Sequence, residues 1–111
     1  MNLHEERLSG KHIFKGRVID LEVDQIRLPD GHDSIREVIN HPGGVAIAAL
    51  NERDELLMVR QFRYPFHSVL LELPAGKLEP GEVPLEAAKR EQKEETGTQA
   101  EEYISLGKCY A

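Results

Sequence analysis

With 111 residues, 40% of them apolar and 31% charged, the chain can form one globular domain, alone or with a small appendage. A net charge of −6 without a basic patch argues against a nucleic-acid partner, and an acidic protein that handles phosphates needs cations in its site. The single cysteine, Cys109, excludes an intrachain disulfide and favours a cytoplasmic protein. The longest apolar run, residues 45–50, is too short to span a membrane.

The start of the chain predicts a small antiparallel unit. Residues 1–12 are polar and charged, so we expect a loosely docked beginning. Residues 17–28 alternate between apolar and acidic side chains, as in a half-exposed strand, and a change of phase near their end indicates a bulge or a twist there. Turn residues at 29–32 return the chain, so residues 13–40 predict an antiparallel hairpin with room for a third short strand at its start.

The pattern breaks at residues 41–44, where His-Pro-Gly-Gly predicts a boundary between an N-terminal β region, 1–41, and a second domain, 42–111. The second domain opens with the apolar run at residues 45–50, which is typical of a strand covered on both faces. A loop rich in proline and glycine is predicted at residues 74–81. Further strands are predicted at residues 56–63, 69–73 and 100–110.

Residues 84–96 predict a helix, because a proline suits its first turn and a glycine follows its end. At about 100° per residue, Glu91, Glu94 and Glu95 fall within a third of the helix circumference. Like charges three and four residues apart repel, so this acidic face weakens an isolated helix. Clustered carboxylates supply the oxygen ligands that Mg²⁺ or Mn²⁺ prefers, and a bound cation would remove the repulsion. The alternative is a solvated charged face, which is the usual meaning of such a run.

The spacing of glycines and charged residues around this helix favours the metal site. Five residues separate Gly76 from Glu82, and seven more precede the pair Arg90-Glu91. This pattern, over residues 76–98, resembles the Nudix box along its full length. The matching positions are Gly76, Glu82, Arg90, Glu91, Glu94, Glu95 and Gly97.

Residues 59–64 and 71–82, with the hairpin before residue 41, resemble the ADP-ribose and nucleotide-sugar pyrophosphatase branch of the Nudix family. The resemblance covers nearly the whole chain from about residue 12 onward. It implies an α+β fold: a Nudix-type α/β/α sandwich on a mixed sheet, here incomplete, preceded by the small antiparallel appendage. In relatives this appendage pairs with a second subunit, so a homodimer is expected.

The resemblance also implies roles for individual residues. The backbone carbonyl of Ala75 and the carboxylates of Glu91 and Glu95 would hold Mg²⁺, with Mn²⁺ as an option. Glu94 would be a further ligand or would support one, and Arg90 would orient the glutamates through an ion pair with Glu82.

Two arginines on a predicted strand, Arg60 and Arg63, are implied to face the phosphates or the adenine of the substrate. Their rigid guanidinium forks suit paired contacts to phosphate. The alternative is that both are ordinary exposed charges on a sheet.

The implied reaction is Mg²⁺-dependent hydrolysis of the pyrophosphate of ADP-ribose, or of a related nucleoside diphosphate derivative, giving AMP and a sugar phosphate. The partner would be this nucleoside diphosphate-sugar substrate, with neither nucleic acid nor membrane involved. Relatives continue beyond the position that matches Ala111, so we expect this 111-residue chain to hydrolyse ADP-ribose slowly or not at all. The alternative function is a non-catalytic, nucleotide-binding or self-associating Nudix fragment.

The box departs from the family pattern at Gln92 and Thr98, two slots usually filled by bulky aliphatic residues. Gln92 belongs, with Leu85 and Ala88, to the helix face expected to pack on the sheet. A buried amide without a partner costs roughly 1–3 kcal/mol. We therefore expect either a polar partner for Gln92 or a less well packed helix.

Overall fold

A computed structural model describes residues 1–111 and divides into two compact units, Met1–His41 and Pro42–Ala111. The first unit is a three-stranded antiparallel sheet in the order β1-β2-β3. Its strands are β1 (Glu6–Lys15), β2 (Asp20–Arg27) and β3 (Asp33–Ile39). The hairpin predicted for residues 13–40 is confirmed by the pairing of β2 with β3.

One expectation about this unit is wrong in part. Within residues 1–12 the segment from Glu6 onward is not loosely docked, because β1 begins there and pairs with β2 along its length. An edge strand gains its hydrogen bonds from the backbone, so its exposed side chains need no apolar pattern. The irregularity expected near the end of residues 17–28 appears in the pairing of β2 with β1, where the register shifts between Arg7 and Ser9, opposite Ile26 and Gln25.

The two faces of this sheet differ in character. One face carries a row of directly paired apolar side chains, Phe14, Leu21 and Ile39, of which Phe14 and Ile39 are about half exposed. The other face buries Asp24, whose Oδ2 atom lies 3.2 Å from Nε of Arg7. The apolar row is left without a covering layer inside the unit.

The second unit contains two antiparallel strand pairs and a helix. The first pair joins β4 to β7, and backbone bonds from Ile47 to Pro74 and from Leu78 to Gly43 extend it at both ends. The second pair joins β5 to β6 through a 3₁₀ turn, Tyr64–Phe66. The strands are β4 (Gly44–Ala46), β5 (Val59–Arg63), β6 (Ser68–Glu72) and β7 (Ala75–Lys77).

Several predicted strand limits in this unit are wrong. The strand expected over residues 45–50 ends at Ala46, after which a single bridge joins Leu50 to Leu56. The loop expected at residues 74–81 contains β7, because its backbone pairs with β4. No strand forms over residues 100–110, since no neighbouring strand offers that segment backbone partners.

Helix α1, Pro84–Thr96, has the predicted limits. Pro84 stands in its first turn, and Gly97 ends it with a φ of 68°, its N–H donating to the carbonyl of Lys93 at 2.9 Å. The helix packs against β7 and β4 and buries Ala87 and Gln92. The predicted packing face is wrong in its first turn.

Leu85 is 45% exposed, whereas Ala87 and Gln92 of the same helix are buried. Three separate small sheets and one α-helix give the predicted α+β class. No helix combines the length and apolar content needed to cross a membrane. The cytoplasmic location stays a prediction.

Replacing Gly97 tests how the helix ends. A Cβ at this position would meet no atom within 4 Å, so the only cost of Gly97→Ala is the left-handed backbone. We expect Gly97→Ala to lower the free energy of unfolding by about 1 kcal/mol, measured by urea denaturation followed by circular dichroism. Gly97→Asn is the control, because asparagine tolerates this conformation better; equal losses in both variants would contradict the explanation.

Candidate metal and phosphate site

The site is built where the loop strand β7 meets the helix α1. Gly76 of β7 faces Glu91 of α1 so closely that a Cβ on Gly76 would overlap the Glu91 carboxylate. Only a glycine leaves room for a carboxylate in this position. The spacing between Gly76 and Glu91 therefore has a steric reason. The space above Gly76, called the cradle below, is occupied by the Glu91 carboxylate.

Arg90 fixes the carboxylates around this cradle. Its Nε and Nη2 atoms each donate to Glu82 at 2.9 Å, which is a paired, fork-like contact. Its Nη1 atom donates to Oε1 of Glu91 at 2.8 Å, and Nη2 also reaches the carbonyl of Lys77 at 3.2 Å. One guanidinium thus ties the helix, the loop and β7 together, as the predicted ion pair between Arg90 and Glu82 requires.

The electrostatics of this cluster follow from the same contacts. The hydrogen bonds from Arg90, together with the backbone N–H of Glu79, lower the pKa of Glu82 from 4.5 to about 2. The bond to Glu82 likewise raises the pKa of Arg90 above its ordinary value, against the effect of burial. Both groups therefore stay charged throughout the physiological range of pH.

The other two candidate ligands take separate partners. Glu95 accepts the backbone N–H of Ala75 at 3.3 Å, so it lies beside the residue whose carbonyl is the other predicted ligand. Glu94 is 60% exposed, and its Oε2 atom lies 3.4 Å from Nη1 of Arg90. The structure brings Glu91 and Glu95 to β7, at Gly76 and Ala75, and connects Glu94 to them only through Arg90. It nowhere gathers three or more acidic, histidine or cysteine side chains into a cluster ready to hold a metal ion.

The two arginines proposed for the substrate lie on β5 in different settings. Arg63 donates to both carboxylate oxygens of Glu72 at 2.7 and 2.6 Å, and Glu95 lies near enough to raise its pKa further. Arg60, three residues earlier, is exposed and forms no ion pair. The structure therefore brings Arg63 towards the glutamates and leaves Arg60 in solvent.

The sequence reasoning missed two partners in this region, Glu72 for Arg63 and Tyr103 for Gln92. Glu72 follows three consecutive apolar residues of β6, and only the three-dimensional structure shows that it pairs with Arg63. Gln92 is 2% exposed and finds polar partners in Thr98 and Tyr103. The departure at Gln92 from an aliphatic slot was a signal that such a partner should exist, but nothing pointed to Tyr103.

Comparison with known proteins agrees with this arrangement. The model of the NUDIX domain matches residues 40–110. The model of the nucleoside diphosphate sugar hydrolase N-terminal domain matches residues 5–39. The chain belongs to the Nudix family, and the resemblance predicted from its box is confirmed.

Individual relatives point to one branch of the family. The chain is 43% identical over 109 residues to an ADP-ribose pyrophosphatase of Bacillus subtilis and 42% identical over 96 residues to one of Mycobacterium tuberculosis. It is 45% identical over 98 residues to a methanol dehydrogenase activator of Bacillus methanolicus. These alignments cover 98%, 86% and 88% of this chain in that order, but only 59%, 46% and 53% of the relatives.

A solved structure shows the same fold. The crystal structure of an ADP compounds hydrolase superposes with a TM-score of 0.79 at 26% identity, over 92% of this chain and 56% of the other. The Nudix-type fold predicted from the sequence is confirmed by this likeness. Here too the chain spans little more than half of the protein it matches.

The Arg90–Glu82 pair predicts a pH-dependent stability. Because the folded protein lowers the pKa of Glu82 from 4.5 to about 2, the pair stabilises the fold above pH 4.5 and loses this contribution as the pH falls towards 2. We expect Glu82→Gln to unfold at a lower urea concentration than the unmodified protein at about pH 7. The difference between the two urea concentrations of unfolding should become smaller by about pH 3, where Glu82 begins to be protonated in the folded protein.

The control for loss of one negative charge is Glu101→Gln, which changes an exposed glutamate outside the cluster. A difference between Glu82→Gln and the unmodified protein that stayed constant over this pH range would contradict the assignment.

Proposed function

We propose that this site takes part in the Mg²⁺-dependent hydrolysis of the pyrophosphate in ADP-ribose, or in a related nucleoside diphosphate sugar, giving AMP and a sugar phosphate. The observation that carries the proposal is the carboxylate of Glu91, seated on Gly76 and held by Arg90, beside the contact between Glu95 and Ala75. A hydrolase of this kind needs a cation next to the phosphates, and these oxygen atoms are suitable ligands.

The donor set fits a divalent cation in its chemistry. Glu91 and Glu95 would bind the ion with the carbonyl of Ala75, and Glu94 would join them or support them. Arg90 contacts Oε1 of Glu91, which leaves the second oxygen of that carboxylate for a cation. The cradle at Gly76 also admits no side chain that could compete for this space.

The bound ion would supply positive charge against the pyrophosphate and activate water for attack on phosphorus. The residues of the chain do the positioning. Arg90 neutralises Glu82 and directs Glu91, so the carboxylate is oriented before substrate arrives. Arg63, fixed by Glu72, presents a guanidinium near Glu95, where it can contact a phosphate with little loss of side-chain freedom.

The relatives support the substrate class. Two of them are named ADP-ribose pyrophosphatases, and the structural neighbour is named an ADP compounds hydrolase. We place Arg63 at the phosphates and Arg60, which is free in solvent, at the adenine end of such a substrate.

A second candidate is a module that binds the nucleotide without turnover. The observation in its favour is that the three glutamates do not meet as a metal cluster. The two functions differ in one measurement: the hydrolase releases AMP only with Mg²⁺, whereas the binding module retains ADP-ribose unchanged.

Substitution of Glu95 tests the proposed function. The purified chain is used in excess over ADP-ribose, so that slow turnover is visible, and AMP is measured by chromatography with and without Mg²⁺. We expect any AMP release by this chain to be slow and to depend on Mg²⁺. In a full-length version it should fall at least about a hundredfold in Glu95→Gln, because stabilisation of transition-state charge is lost.

Glu101→Gln, with the same loss of charge at an exposed position, should match the unmodified chain. Near-normal activity in Glu95→Gln would reject the site. Binding of ADP-ribose with no AMP formed would favour the second candidate.

We also propose that the first unit forms a homodimer through the apolar row of Phe14, Leu21 and Ile39, which nothing within the unit covers.

Light scattering at micromolar concentration should give twice the 12.6 kDa mass of the chain. Phe14→Glu should shift the protein to the single mass, because it places a charge in the row. Val18→Glu, at an apolar residue 61% exposed outside the strands, is the control; a compact monomer in every case would contradict the dimer.

A further inference from the structure

The two departures from the Nudix pattern contact each other. Gln92 lies on α1 and is 2% exposed, and its Nε2 atom donates to Oγ1 of Thr98 at 3.1 Å. Thr98 stands just past the helix end at Gly97. A polar residue in one slot is therefore matched by a polar residue in the other, and the pair takes the place of two aliphatic side chains.

Tyr103 completes the polar contacts of Gln92. Its hydroxyl donates to Oε1 of Gln92 at 2.8 Å and lies 3.3 Å from the backbone nitrogen of Ala100, from which it accepts. The ammonium of Lys89 lies 5.6 Å from the centre of the Tyr103 ring. Lys89 and Gln92 are three residues apart on one face of α1, so Tyr103 contacts the helix at two points, through its ring and through its hydroxyl.

The threonines connect this network to the last turn of α1. Thr96 donates from its hydroxyl to the carbonyl of Gln92 at 2.5 Å and shares a hydrogen bond of 2.6 Å with the hydroxyl of Thr98. Both ends of the buried amide are thus satisfied, and the segment after the helix is tied back onto it. Removing one member would leave its buried partners without a hydrogen bond inside the protein, which destabilises this end of the helix.

The turn held in this way carries two of the proposed metal ligands. Glu94 and Glu95 immediately precede Thr96, and Glu95 must reach Ala75 at the end of its side chain. We propose that Gln92, Thr98 and Tyr103 are positioning residues: their hydrogen bonds fix the last turn of α1 and so hold the Glu95 carboxylate at Ala75. The inference rests on the proposed function for the role of Glu95 as a metal ligand.

The test measures binding of Mn²⁺ alone to the folded chain, from the electron paramagnetic resonance signal of the free ion. Tyr103→Phe removes a single hydroxyl and keeps the ring over which Lys89 lies. We expect Mn²⁺ affinity to fall on the order of tenfold, the scale seen when groups that support metal ligands are removed. Tyr110→Phe is the matched control, because Tyr110 is 86% exposed and has a lysine at 5.2 Å from its ring.

Combining variants separates positioning from general loss of stability. If Tyr103 acts through Glu95, Tyr103→Phe should weaken Mn²⁺ binding in the unmodified chain but not in a Glu95→Gln background. A merely structural role would weaken both by the same factor. Tyr103→Phe should likewise add little once Gln92→Leu has removed the acceptor.

Replacement of all three polar groups gives a rescue. Gln92→Leu should weaken Mn²⁺ binding, and adding Thr98→Val and Tyr103→Phe should restore part of the loss, because of the groups in this network only the backbone N–H of Ala100 is then left without its partner. If Tyr103→Phe leaves the Mn²⁺ affinity unchanged while Glu95→Gln lowers it clearly, the positioning role of Tyr103 is overturned and the proposed function stands. Unchanged affinity in Glu95→Gln would instead reject the ligand role assigned under the proposed function.

Discussion

The ion pair between Arg90 and Glu82 is the contact on which the rest of the site depends. The loop after β7 carries Glu82, the helix carries Arg90, and the same guanidinium reaches Glu91 and the backbone of β7. Without that positive charge, three glutamates on one side of a short helix would repel one another and the loop. The pair therefore makes the acidic face compatible with folding and at the same time directs Glu91 into its cradle.

Much of this arrangement could be predicted from the sequence because its causes are local. A proline at the start and a glycine at the end set the limits of α1, and the helical period alone puts the three glutamates on one face. The steric fit of Gly76 under Glu91 explains why the spacing between them is informative. Local rules of this kind act within a few residues, so a single sequence contains them.

What could not be predicted depends on partners distant in the chain. The apolar run at residues 45–50 has the composition of a strand but ends at Ala46, where its pairing with β7 stops. Residues 100–110 have a strand-like pattern and no strand to pair with, so they stay irregular. Tyr103, in that segment, has its role only because Gln92 lies buried eleven residues earlier. Hydrogen-bond partners of this kind follow from the folded chain, not from periodicity.

The two sets of contacts that hold α1 differ in kind. Arg90 acts through full charges, whereas Gln92, Thr98 and Tyr103 act through neutral amide and hydroxyl groups. Dissolved salt screens exposed charges, but it screens partly buried pairs much less and hardly affects neutral hydrogen bonds. The side chains of Arg90 and Glu82 are only 26% and 14% exposed and lie 2.9 Å apart, so this pair keeps most of its attraction in salt. Concentrated salt would instead weaken the exposed pair of Lys89 and Glu86 on the same helix, so the contacts that hold the acidic face depend little on the ionic strength of the solution.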